Sequence, residues 1–238
     1  MELLIVNKQK AITLLSGGLD SMVATLLAAK DLEIGLSLTF DYGQRAAQPE
    51  IKAATGFCQS YQIKHQVIAL PWLAKLSDSA LNNAQKDLPK FMATELDMNE
   101  QKEKASAKQV WVPNRNALFL NIAACYAEAN NCQQIVTGFN LEEATTFPDN
   151  SWDFVQAQNK AFKYSTLTKP QISTPVQNMK KTQMVKEAKK LELDWNLFWS
   201  CYEGKDKMCG ECESCARTMR AFSYAGLLEK IKDRFLKS

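Results

Sequence analysis

Apolar residues change their period several times along the chain, and each change marks an element. Ala11, Ile12, Leu14 and Leu15 form a run too short for a helix, which reads as a strand buried on both faces. After Ser16-Gly17-Gly18 the spacing turns helical, with Met22, Val23, Leu26 and Leu27 on one side. Residues 33–40 read as a second strand that ends in Asp41-Tyr42-Gly43-Gln44-Arg45. Pro49 opens a helix to about Tyr61, with Ile51, Ala54 and Phe57 turned inward. Residues 65–70 form a third strand, closed by Pro71. Leu118, Phe119, Ile122, Ala123 and Tyr126 line one side of a helix, and residues 134–137 are a strand ended by Gly138. Residues 139–154 read as a polar loop leading into a helix. Thr174-Pro175-Val176 reads as a short edge strand, and residues 180–193 as an amphipathic helix with Met184, Val185 and Ala188 inward. Strands alternating with helices predict an α/β fold with a doubly wound, mostly parallel sheet, whose ligands sit beyond the carboxyl ends of its strands.

Two stretches depart from this rhythm. Residues 73–109 are rich in Ala, Asn, Gln, Lys and Glu and weakly apolar, and are expected to form a mobile, partly helical insertion, a candidate lid. Beyond about residue 195 cysteines crowd together. The expected division is therefore an α/β domain over 1–195 and a metal-binding region over 196–238.

Composition narrows the function by exclusion. A net charge of +3 is too small to argue for a nucleic-acid groove, so no stable nucleic-acid partner is expected. Lys180-Lys181 and Lys189-Lys190 read as solvated helix faces. No apolar run reaches membrane-spanning length, and the opening MELLIVNKQK reads as a short strand rather than a signal peptide. Seven cysteines without a signal peptide point to the reducing cytoplasm, hence to thiols or metal ligands rather than disulfides. The sole histidine, His65, lies beside a strand, which leaves little room for histidine chemistry.

The stretch from Leu15 to Ser21 carries the strongest chemical signal. Two glycines between a strand and a helix let backbone N–H groups approach an anion, and the helix directs its positive end at the same place. Leu15, Ser16, Gly17, Gly18, Leu19, Asp20 and Ser21 are thus candidate phosphate-binding residues. Asp20 and Ser21 stand where they can cap the helix or touch a ligand. Neither G-x-x-x-x-G-K-[ST] nor G-x-G-x-x-G is present. Arg115 and Asn116 open a second helix and suit anions in the same way. The residues Thr145, Thr146, Asp149 and Asn150 follow the strand ending at Gly138. They are short and polar, suited to hydrogen-bonding a purine-like edge.

Cys201, Cys209, Cys212 and Cys215 follow the spacing C-x7-C-x2-C-x2-C. Thiolates at this spacing can converge on one ion, and soft sulfur sets select Zn2+ or an iron–sulfur cluster. No Cys-Pro follows as in ferredoxin-type sites, which favours a structural Zn2+ with four protein ligands. Arg217, Arg220 and Phe222 lie on a final helix that would fasten this knuckle to the body.

The string SGGLDS resembles the loop of the PP-loop, or N-type ATP pyrophosphatase, superfamily. Together with DYGQR, VPNRNALFL, the Thr137-Gly138 pair, FPD at Phe147–Asp149 and the string SCYEG…CGECESCARTMRAF, it resembles the QueC family, the 7-cyano-7-deazaguanine synthases. The resemblance implies an ATP-dependent ligase in queuosine (tRNA) biosynthesis. It would convert 7-carboxy-7-deazaguanine and ammonium into a nitrile through an adenylated acid and an adenylated amide, releasing AMP and pyrophosphate. It also implies that Ser16, Gly17, Gly18, Asp20 and Ser21 hold ATP with Mg2+, that the four cysteines bind Zn2+, and that Asp20, Arg115 and Asp149 serve the chemistry. The implied partners are small molecules (the deazapurine acid, ammonium and ATP), and the sequence is compatible with a homodimer. Glu143 stands where the family pattern has Asp, Thr145-Thr146 where it has Ser-Gly, and Asn150-Ser151 where it has Cys-Arg; Ala46 replaces a histidine. Those departures keep two alternatives open: transfer of an activated deazapurine acid to a macromolecule, and a tRNA sulfurtransferase. A third, non-enzymatic reading is an ATP-binding or zinc-bearing interaction module.

Overall fold

Residues 8–237 are described by a computed structural model in which five strands form one all-parallel sheet. They are β1 (Lys10–Leu14), β2 (Glu33–Asp41), β3 (His65–Ala69), β4 (Gln134–Val136) and β5 (Gln171–Ser173), in the spatial order β3-β2-β1-β4-β5. The helices are α1 (Leu19–Ala28), α2 (Ala47–Ser60), α3 (Pro71–Leu76), α4 (Glu100–Val110), α5 (Arg115–Ala129), α6 (Leu141–Thr146), α7 (Trp152–Ser165), α8 (Lys181–Lys190) and α9 (Glu213–Tyr224). The strand expected near the start falls mainly on residues 1–7, outside the described part of the chain.

The chain steps outward from β1 to β3 and then returns to place β4 on the other side of β1. Loops leaving β1 and β4 therefore diverge to opposite faces and open a crevice between them. β1 lies between β2 and β4 with Ala11 and Ile12 wholly buried, as its continuous apolar run requires. The polar residues of the central strands pair within the sheet. Thr13 and Ser37 hydroxyls lie 2.6 Å apart, and Thr39 Oγ1 donates to the Leu15 carbonyl at 2.6 Å. Leu120, Ala123 and Ala127 of α5 and Phe162 of α7 cover one face, and Met22, Val23, Phe57, Met184, Val185 and Phe222 belong to the core of the other.

Several expectations need correction. Residues 139–154 are not an open loop: they hold α6, a single 3-10 turn at Pro148–Asn150 and the start of α7. Asn140 and Ser151 cap these helices by accepting from Glu143 N and Phe154 N, so their polar character serves helix starts. The edge strand lies at Gln171–Ser173, not at Thr174-Pro175-Val176. Pro175 has no N–H for a ladder, and the chain turns there, with Gln177 N donating to Thr174 O at 3.0 Å.

Residues 77–99 have almost no regular structure but are anchored to the body. Arg45 N donates to Leu81 O at 2.8 Å, and the Arg45 guanidinium reaches the carbonyls of Asn83 and Lys86. Phe91 N donates to Glu211 O at 3.0 Å, beside a bridge between Lys90 and Cys212. Leu81, Leu88, Phe91 and Leu96 are buried. Many of these ties use backbone groups, which composition does not reveal. The cysteine region likewise joins the main core: Phe198, Cys201, Met208 and Phe222 pack in one cluster with Leu15, Leu19, Met22 and Met184.

Candidate active site

The glycine loop follows β1 and is built around two serines. Ser21 Oγ donates to Gly18 O at 2.9 Å, accepts from Ser16 N at 3.2 Å, and lies 3.1 Å from Ser16 Oγ. Ser16 Oγ accepts from Gly18 N at 3.2 Å. Gly17 has φ +78° and packs on α2 so closely that a Cβ would lie 2.3 Å from the Glu50 carbonyl oxygen. Its own carbonyl accepts from Trp199 N at 2.8 Å, which ties the loop to the cysteine region. Gly138, after β4, also presses on α1, where a Cβ would meet Ser21 N at 2.7 Å.

Asp20 does not cap α1; Gly18 holds the cap position without a side-chain bond. The Asp20 carboxylate instead turns toward α8, where Oδ2 accepts from Lys181 Nζ at 3.0 Å and from Asn140 Nδ2 at 3.2 Å. Its Oδ1 is buried without a partner among the described residues. Lys181 is therefore no solvated lysine, since its side chain is only 12% exposed. Burial alone would lower its pKa, but the nearby Asp20 and Glu143 carboxylates raise it. Glu143, in the first turn of α6, has its pKa raised by burial and by the Asp20 charge.

The opposite wall comes from β2 and α5. Tyr42 is buried, and Arg115 Nη1 donates to its hydroxyl at 3.3 Å. Arg115 is the first residue of α5, following Asn114 in the left-handed conformation (φ 54°). Gln44 is locked: its Oε1 accepts from Tyr42 N at 2.9 Å, and its Nε2 donates to Phe40 O at 3.1 Å and to Glu50 Oε2 at 2.8 Å. Burial pushes the Glu50 carboxyl up to about 7.

These walls enclose a cavity of about 280 Å3 at the β1/β4 crevice. Of the residues expected at the site, Leu15, Ser16, Gly18, Leu19, Asp20, Ser21, Arg115 and Asn116 line it. Gly17 supports the loop from behind. Asp149 is half-buried and outside the lining; Asn150, buried beside it, faces the cavity instead. Burial raises the Asp149 pKa, and its carboxylate accepts from Asn150 Nδ2 at 3.3 Å. Thr145 is spent on the carbonyl of Glu142, and neither it nor Thr146 reaches the cavity. Lys181, Glu50, Glu143, Phe119 and Tyr202 complete the walls. Lys181 escaped sequence reasoning because Lys180 beside it is a neighbour of the same type, and only helix placement separates them.

The four cysteines converge as expected. Their sulfurs all lie within 4.8 Å of one another, and Cys209 and Cys215 are 3.9 Å apart. A tetrahedral ion with sulfur at roughly 2.3 Å needs sulfur–sulfur edges of about 3.8 Å, whereas a disulfide needs about 2.05 Å. Backbone N–H groups of Glu203 and Cys209 donate to Cys201 Sγ at 3.2 and 3.3 Å, and those of Glu211 and Cys212 to Cys209 Sγ at 3.4 and 3.2 Å. Such bonds favour thiolates, so the donor set fits a metal ion. Ser200 and Tyr202 flank Cys201, Ser214 precedes Cys215, and all three line the cavity. The cluster thus braces one wall.

A family model described as queuosine biosynthesis protein QueC matches residues 10–226. The chain is 48% identical over 218 residues to a 7-cyano-7-deazaguanine synthase of Pelotomaculum thermopropionicum, covering 92% of this chain and 98% of the relative. It is 45% identical over 227 residues to one from Methanosarcina mazei, with 94% and 98% covered. Among solved structures, a 4-thiouridine synthetase in complex with RNA and ATP superposes with a TM-score of 0.51 at 19% identity, covering 95% of this chain and 50% of that one. That likeness speaks for the fold.

Proposed function

Since the chain belongs to the QueC family, we propose that it is an ATP-dependent carbon–nitrogen ligase that converts 7-carboxy-7-deazaguanine and ammonium to 7-cyano-7-deazaguanine in queuosine biosynthesis. The observation that carries this reading is the cavity itself. At one switch point it joins a phosphate-binding loop, the cations Lys181 and Arg115, and a polar wall able to hold a flat heterocyclic acid.

Each group has a part. The loop Ser16–Ser21 and the amino end of α1 hold the ATP phosphates. Lys181 and Arg115 offset negative charge as pyrophosphate leaves, since transfer at phosphorus needs positioning and charge neutralisation more than a nucleophile. Asp20, with one oxygen unpartnered among the described residues, would hold Mg2+, which would supply positive charge to offset the phosphates. Asn116 and Asn150 offer hydrogen bonds to the deazapurine edge, and Asp149 acts by orienting Asn150 and through its charge near Arg115. Cys201, Cys209, Cys212 and Cys215 would hold Zn2+, which would supply a structural cross-link. Residues 73–109 serve as a brace between the DYGQR turn and the cysteine region rather than as a free lid. The partners are small molecules, and the enzyme acts in the cytoplasm; no helix among the described residues is long and apolar enough to cross a membrane.

The test is direct. The protein is incubated with 7-carboxy-7-deazaguanine, ammonium and MgATP, and the products are identified by mass. The nitrile with two AMP per molecule is expected. Accumulation of amide alone, or deazapurine attached to tRNA or protein, would favour transfer to another acceptor. Visible absorbance with bound iron would favour the sulfurtransferase.

A further inference from the structure

Making a nitrile from ammonium strips four protons from one nitrogen. With all species fully ionised, carboxylate, ammonium and two ATP give nitrile, two AMP, two pyrophosphates and four protons. Both carboxylate oxygens leave on AMP. The site therefore needs a group that accepts protons from nitrogen repeatedly.

Histidine is not that group. The sole histidine, His65, stands at the start of β3, at the sheet end opposite the cavity, and lies 2.8 Å from Thr39 Oγ1 and 3.3 Å from Thr55 Oγ1. No cysteine lines the cavity. Among the described residues three carboxylates do: Asp20, Glu50 and Glu143. Asp20 is engaged by Lys181 and Asn140, and Glu50 by Gln44. The Glu143 carboxylate has no hydrogen bond and no ion pair among the described residues. Its backbone is fixed, with Glu143 N donating to Asn140 Oδ1 at 3.1 Å. The charged and titratable groups around it are Asp20 of α1, Arg115 of α5, Lys181 of α8, Arg217 of α9 and Tyr202.

We propose that Glu143 is the catalytic base that removes protons from the reacting nitrogen, in both amide formation and dehydration to the nitrile. Ammonium first gives a proton to the Glu143 carboxylate. The freed lone pair forms the C–N bond, the C–O bond to AMP breaks with its electrons on the phosphate oxygen, and a second proton leaves nitrogen. Once the amide oxygen is adenylated, nitrogen loses a third proton. In the last step the remaining N–H electrons become the third C–N bond as the C–O bond to AMP breaks. Each proton passes from Glu143 to water. Burial and the neighbouring Asp20 charge raise the pKa of this carboxyl, which makes its carboxylate a stronger proton acceptor.

This inference rests on the proposed reaction, and the experiment separates the two. Glu143→Gln and Glu143→Asp are compared in three assays. The first is acid-dependent exchange of pyrophosphate into ATP without ammonium, in which no nitrogen proton moves. The second is amide and nitrile formation with ammonium. The third is hydroxamate formation with hydroxylamine, which is largely unprotonated at neutral pH. Glu143→Gln should lose on the order of 100-fold in ammonium-dependent turnover, the scale of general base catalysis, while exchange persists and hydroxamate formation, which needs one proton removed from nitrogen rather than two, falls by much less. Glu143→Asp should recover part of the loss. Equal losses in all three assays, or none, would overturn the role. If the Gln variant does not fold, Glu143→Asp carries the test. Its deficit should shrink as pH rises and ammonium becomes ammonia, and a pH-independent deficit would overturn the role. Absence of exchange in the unsubstituted enzyme would instead count against the reaction itself.

Discussion

Gly17→Ala separates two penalties that glycine avoids. One is conformational: at φ +78° an L side chain occupies the left-handed region, at a cost of roughly 1–2 kcal/mol. The other is steric. The new Cβ would stand 2.3 Å from the Glu50 carbonyl oxygen, against the 3.0 Å below which real contacts are essentially absent, so the loop or α2 must yield by 0.7 Å (3.0 − 2.3). Both neighbours are backbone, and the Gly17 carbonyl is held by Trp199 N, so no rotamer change relieves the contact. Displacement of a positioned group by about 1 Å typically costs on the order of 100-fold in rate. Gly226→Ala is the control, because Gly226 has φ +68° with nothing within 4 Å of its Cβ position. It bears the conformational penalty alone, worth about 2–8 °C in melting temperature for a chain of this size. We expect Gly226→Ala to melt lower but turn over normally. Gly17→Ala should melt at least as low and lose about 100-fold in acid-dependent pyrophosphate release. Calorimetry and a coupled pyrophosphate assay on both variants decide it. Equal activity in the two would refute the claim that loop placement against Glu50 matters.

Three further outcomes follow from the site. Cys212→Ser should lose bound metal and melt lower before any loss of chemistry, because knuckle metal affinity is largely folding energy; retained zinc and melting point with lost turnover would make the metal catalytic. Asp20→Asn should fold, since the amide oxygen still meets Lys181, yet lose on the order of 100-fold or more in pyrophosphate release; near-normal release would remove Asp20 from phosphate handling. Glu50 is raised from 4.5 to about 7 on folding, so its contribution to stability is full below about pH 4.5 and lost as pH rises through 7. Gln44, Arg115 and Asp41 are the groups that modulate it. The melting-temperature difference between Glu50→Gln and the unsubstituted protein should accordingly grow in the variant's favour from pH 5 to pH 8, and a flat difference would contradict a buried, proton-holding Glu50.

The chain's local patterns determined much of this protein. A continuous apolar run specifies a strand covered on both faces, a double glycine specifies a close backbone approach, and the cysteine spacing specifies convergence, because each depends on residues near in sequence. Arg115 and Asn116 were legible as a helix start for the same reason. Tertiary structure decided what lies across the cavity. It carried Lys181 161 residues along the chain to Asp20, left the Glu143 carboxylate without a partner among the described residues, and put Asn150 rather than Asp149 on the wall. It also anchored residues 77–99 through backbone bonds that any side chains permit. The physical reason is that charge pairing, burial and open space are properties of neighbours in space. When those neighbours come from different helices, no local period encodes them.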